Sequence, residues 1–186
     1  MIRSICIAFI ASGALLAEPA TAQQRADPPW RALVSASAAL KVALDEVCLA
    51  SQFAGGDLKA IAEGHYLRPI NPARYGSPTA TEGWRLASLS PVLLLRLPNG
   101  GCSVSIEDGD ADKLAAEAEA MIQARAAFSP GLRLQEGEAE RVAWCTAEAE
   151  RPMVATIVRR TRGRRVAFLA NVFRAQAGRP AFCDPG

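Results

Sequence analysis

The stretch NGGCSVSIEDGDADKL, residues 99–114, decides how the chain is built, because it reads either as turn, strand and helix start in succession or as a ligand loop. Asn99-Gly100-Gly101 supplies the backbone freedom of a tight reversal. Beyond it Cys102, Val104 and Ile106 alternate with Ser103, Ser105 and Glu107, the period of a half-buried strand with the cysteine on its inner face. Glycines that cradle a phosphate run into a helix N-terminus, and in the Walker form into Lys followed by Ser or Thr; these run into a strand. Asp108, Asp110, Asp112 and Glu119 fall on positions 1, 3, 5 and 12 of a calcium loop, but Lys113 stands where that loop needs glycine. The acids are better used to cap free N–H groups at a helix start, each contributing about 0.3–1 kcal/mol.

Working outward on the C-terminal side, a helix from about Ala111 to Phe128 sets Leu114, Ala118, Met121, Ile122 and Phe128 on one stripe, and Ser129-Pro130-Gly131 is expected to end it. Arg141 to Ala147, Met153 to Arg159 and Val166 to Phe173 read as strands, with turns at Glu150-Arg151-Pro152 and Arg160 to Arg165. On the N-terminal side, residues 30–51 carry Leu33, Leu40, Leu44, Val47 and Cys48 close to the helical period, so Cys48 points inward. Asp57 is a suitable N-cap for a shorter helix with Leu58, Ile61 and Ala62, ended by Gly64. Residues 65–82 hold three prolines and no period, and are expected to be loop. Trp84 to Leu89 and Val92 to Leu97 complete two short strands. The order α-α-β-β-β-α-β-β-β fits an α+β fold, an antiparallel sheet covered on one face by helices. No internal repeat is visible in the sequence.

The first residues speak to destination. Arg3 precedes the apolar run Ile5 to Leu16, and Ala20-Thr21-Ala22 offers small residues where a signal peptidase cuts, so residues 1–22 read as a signal peptide cleaved after Ala22. Residues 23–29 then form a linker, 30–174 a single α+β domain and 175–186 a C-terminal tail. Cleavage leaves 164 of 186 residues, enough to bury well over half of the unfolded surface. The run Val92 to Leu97 is too short to span a bilayer and is broken by Arg96, so no transmembrane segment is expected after cleavage. A periplasmic or secreted location follows.

Cys6 leaves with the signal peptide; Cys48, Cys102, Cys145 and Cys183 remain. An even count in an exported chain favours two disulfides, and four cysteines allow three connectivities. The preferred pairing is Cys48–Cys102, both on buried faces, with Cys145–Cys183 tying the tail to a strand. A four-cysteine zinc site would lack any C-x-x-C knuckle. The helix with an inward cysteine, then Gly83-Trp84, then Cys102-Ser103-Val104 and an acidic-capped helix together resemble a group of small exported bacterial proteins of unknown function, over residues 40–128. The resemblance implies a periplasmic setting and no particular activity; Cys145, Cys183 and the arginine-rich hairpin lie outside it.

Candidate chemistry is sparse. His65 is the one histidine, and pairing it with a cysteine nucleophile would leave an odd thiol in an oxidising compartment. No G-x-S-x-G, S-x-x-K or H-E-x-x-H occurs, no cofactor or metal motif is present, and no carboxylate pair is singled out for glycoside hydrolysis. Arg159, Arg160, Arg162, Arg164 and Arg165 are five arginines within seven residues, able to grip phosphate or another anion. Nucleic acid is not the expected partner: the formal charge is only +2, and no aromatics interleave for base stacking. Glu136, Glu138 and Glu140 oppose the arginines; a hairpin centred on Glu150-Arg151 would set Glu138 and Glu140 against Gly163 and Thr161. The expectation is an exported, non-catalytic envelope protein that binds a protein partner or an anionic surface component. The alternatives are a small periplasmic hydrolase using the loop around His65, Tyr66 and Tyr75, and an inhibitor of an envelope enzyme.

Overall fold

The computed structural model of the protein describes residues 35–88, 91–125, 127–137, 139–160 and 168–184; the expected signal peptide, the linker and the start of the expected domain lie outside them. Among the described residues the chain is α+β, with eight antiparallel strands in one sheet, helices packed on it, and two disulfides.

The first helix runs as α1 (Ala36–Leu40), a π-helical stretch (Lys41–Leu49) and α2 (Ala50–Ala54). Ser35 caps it, its hydroxyl accepting from the Ala38 N–H. A stripe of period 3.6 was expected, but Ala43, Leu44, Val47, Cys48 and Leu49 are all buried. The arc is broad because this helix meets β3, β4 and β8 on one side and other helices elsewhere. Gly55, at φ 66°, ends α2 in the left-handed conformation that glycine adopts without a Cβ clash. Asp57 then caps α3 (Leu58–Gly64) through the Lys59 N–H, as its sequence position indicated.

The sheet reads β1 (Arg68–Ile70), β2 (Glu82–Leu86), β3 (Val92–Arg96), β4 (Cys102–Ile106), β5 (Phe128–Glu136), β6 (Ala139–Thr146), β7 (Met153–Arg160) and β8 (Phe168–Arg174). Between β4 and β5 lies α4 (Ala111–Gln123). The order across the sheet is β1-β2-β3-β4-β8-β7-β6-β5. Two strands more than expected are present, and each corrects a reading that turned on proline. Within the expected loop, Arg68–Ile70 pairs with β2. The helix expected to reach Phe128 stops at Gln123, and Ser129-Pro130-Gly131 is not its terminator but part of β5. Both strands lie at sheet edges, where a proline's missing N–H faces no partner, and β5 shifts register between Pro130 and Arg133.

Order and pairing reveal a duplication of plan that the sequence hides. A helical segment followed by a four-stranded meander, β1–β4, is succeeded by α4 and a second meander, β5–β8; the last strands of each, β4 and β8, join the halves.

Register explains the core. Trp84, Leu94, Val104, Ala170, Ile157 and Val142 are successive partners across six strands, and all six are buried with Leu40, Leu44, Leu114 and Ile122 of the helices. Each such leucine or isoleucine stabilises the fold by about 1.5–3 kcal/mol relative to exposure. Cys48 joins Cys102 across 5.8 Å between Cα atoms, tying the first helix to β4. Cys145 joins Cys183 across 5.5 Å, tying a 3-10 turn (Ala181–Cys183) to β6. Both pairings are those preferred from the sequence.

Candidate functional site

Of the expected arginine site, Arg159 and the backbone of Arg160 fall within the described residues. Arg159 lies opposite Glu140 on β6 and pairs with both Glu140 and Asp112. Glu140 also takes Arg133 at 2.6 Å, and Arg133 reaches Glu119 at 3.9 Å. Hydrogen bonding from Arg133, with a further contribution from Arg159, holds the Glu140 carboxyl below the usual glutamate range. The five side chains rim a small cavity of about 220 Å³ floored by Ala115, Ala116, Val142 and Ile157. Arg160 pairs through its backbone with Ala139; its side chain, with Arg162, Arg164 and Arg165, lies outside the described residues. The pairing expected from a turn centred on Glu150-Arg151 is corrected. Partners sum to 299, so Glu140 faces Arg159 itself and not Thr161; Glu138 lies outside the described residues.

In the opening stretch, one oxygen of Asp110 accepts the Asp112 N–H at 3.1 Å and the Lys113 N–H at 3.0 Å, the cap read from the sequence. Among the described residues no three His, Cys, Asp or Glu side chains gather as a metal site.

His65 Nδ1 is 3.3 Å from Glu46 Oε2 of the first helix, while Tyr75 lines a cleft whose described lining does not include His65 or Tyr66. None of the described clefts is lined by His65. The nearest cysteine in sequence, Cys48, is bonded to Cys102, so no thiol is left there for the imidazole to activate.

The largest described cleft was not anticipated. Arg85, Leu93, Ser105, Leu169, Val158 and Arg141 form one row of cross-strand partners, and Gly83, Leu95, Ser103, Asn171, Thr156 and Ala143 the next. Partners across a ladder share a face, so these rows alternate with the core row and lie on the other side of the sheet. Over them the segment 74–80 leaves a cleft of about 730 Å³, floored by Leu93, Leu95, Ser103, Ser105, Val158 and Leu169. The wall follows from local chemistry. Asn71 caps a 3-10 turn (Pro72–Tyr75), Gly76 at φ 75° reverses the chain, and the Thr81 N–H donates to the Arg96 carbonyl at 3.0 Å. Leu97 lies past the turn end of β3 and Glu107 past the opposite end of β4, both lining the cleft. Arg74 stands in the wall, exposed. A sequence signal for this face did exist. Val92 to Leu97, VLLLRL, does not alternate, which in a strand means apolar cover is needed on both faces.

Compared with known proteins, the chain matches no protein-family model, no curated protein and no solved structure.

Proposed function

We propose that the protein is an exported, disulfide-stapled, non-catalytic binding protein of the cell envelope, with helices covering one face of its sheet and a ligand site on the other. The cleft of about 730 Å³ carries this reading. It lies within the range of small-molecule pockets, about 300–1,000 Å³, and combines an apolar floor with a few placed polar groups. Export is supported by the two disulfides, which persist in oxidising compartments, and by the signal-peptide pattern of residues 1–22. No helix among the described residues is long and apolar enough to cross a membrane.

Ser105 sits at the centre of the floor, between Leu93 and Leu169. Ser105→Phe should fill the cleft and lower retention of an envelope-extract component by about tenfold, a loss of about 1.4 kcal/mol, in protein whose far-UV spectrum shows the sheet retained. Equal retention by parent and variant would overturn the assignment.

The arginine run supports a second, anionic contact. Residues 161–167 connect β7 to β8, the strands that contribute Val158 and Leu169 to the cleft floor. Because Arg159 is already paired with Glu140 and Asp112, the discriminating variant is Arg162, Arg164 and Arg165 to Ser. It should weaken retention on envelope fractions while leaving the fold intact; unchanged retention removes the anionic contact from the account.

A further inference from the structure

We infer that the cleft on the sheet face away from the core takes a free single-chain anionic amphiphile, of fatty-acid type, with its alkyl chain on the floor and its carboxylate at Arg74. The inference rests on the binding reading above and names the ligand class.

The floor argues first against a peptide. Its residues belong to β3, β4, β7 and β8, each of which is hydrogen-bonded to a neighbour on both sides. Their N–H and C=O groups are spent in the ladders, so an extended peptide lying there would gain no strand-addition bonds and would desolvate its own amides. An alkyl chain has no such groups. It needs contiguous apolar surface, and Leu93, Leu95, Leu97, Val158 and Leu169 supply it.

Charge fixes the head. Arg74 is in the wall, exposed, and makes no ion pair with any described residue. A guanidinium matches a carboxylate with two parallel hydrogen bonds. Tyr75 beside it adds a phenolic hydroxyl to the lining. Among the described residues Glu107 is the one acid that lines the cleft. It lies past the end of β4 remote from the β3–β4 turn, while the wall is tied near that turn through Thr81. A second anionic head at the Glu107 end would be repelled, which favours one head, one chain and one orientation.

The test is calorimetric titration of the mature protein with dodecanoate, dodecanol and dodecyltrimethylammonium, each kept below its micellar concentration, and with anionic vesicles as a separate arm. Dodecanoate should saturate at one per chain, and dodecanol should bind about tenfold more weakly, the effect of losing one charge-assisted pair. Arg74→Ser should bring dodecanoate to the dodecanol level with the melting temperature unchanged, and Ser105→Phe should remove binding of both. Equal affinity for the cationic probe, an unaltered affinity in Arg74→Ser, or binding to vesicles but not to monomeric dodecanoate would each overturn the inference. If dodecanoate fails while Ser105→Phe still abolishes retention of an envelope component, the cleft remains the site and only the ligand class falls. If Ser105→Phe changes neither, the binding reading falls with it.

Discussion

Gly101 shows how closely the opening stretch is packed. A Cβ there would lie 2.5 Å from the Phe173 Cβ and 2.6 Å from the Val172 carbonyl oxygen, and backbone cannot yield as a flexible side chain can. Gly101→Ala should cost about 1–3 kcal/mol, the range for overpacking, read from the midpoint of urea unfolding; an unmoved midpoint would contradict the packing described. Glu140 makes a pH prediction. Its folded-state carboxyl titrates below the usual value of about 4.3. The stabilisation is therefore complete above the ordinary glutamate range and is lost as pH falls through the lower folded value. Glu140→Gln should lower stability at neutral pH by about 1 kcal/mol and flatten the acid limb of the stability profile, and a variant with the parental acid limb would place the titration elsewhere. The opposition of glutamates and arginines was legible in the sequence, but its register was not. The six residues between β6 and β7 leave the centre of the turn free to move, and a one-residue shift in that centre changes every pairing by two.

At the scale of elements, what the sequence revealed and what it concealed have one physical cause each. The capped helices, the Asn99-Gly100-Gly101 turn and the alternating strand from Cys102 were legible because caps, glycine turns and period are local. Strands β1 and β5 were hidden by Pro69 and Pro130, since proline in a run argues against a strand except at an edge, and edge position is a property of the whole sheet. The apolar run of β3 marks a strand, but its lack of alternation points to cover on both faces, and what supplies the second cover is set by the distant segment 74–80. The two disulfides act on different elements and should fail differently. The Cys48–Cys102 bridge closes a separation of 54 residues between helix and sheet, so Cys48→Ala with Cys102→Ala should cost about 4 kcal/mol in global stability. Cys145→Ala with Cys183→Ala should mainly release residues 175–184, because the hydrogen bonds left between this segment and the sheet region include Arg179 donating to the Thr146 carbonyl and the Ala175 N–H donating to the Pro152 carbonyl, one from a half-buried side chain and the other at the segment's start. Hydrogen exchange would show tail amides exchanging faster while those of β4 and β8 keep their protection; uniform acceleration would mean the bridge supports the whole fold.

For the molecule as a whole, the repeated helix-then-meander plan explains why the sheet is wide and why the face away from the core is broad. Each half contributes four strands, and the join at β4 and β8 places Ser103, Ser105, Leu169 and Asn171 near the middle of that face. No repeat shows in the sequence because a meander asks only for period and turns, which different residues satisfy. The central claim is that this face, not the arginine root and not His65, holds the ligand. Backbone amide NMR of the mature protein titrated with a detergent-free envelope lipid extract tests it most directly. The account predicts shifts concentrated at residues 74–80, 93–97, 103–107 and 169. Shifts centred on Arg133, Glu140 and Arg159, or on His65 and Glu46, with the cleft silent, would contradict it.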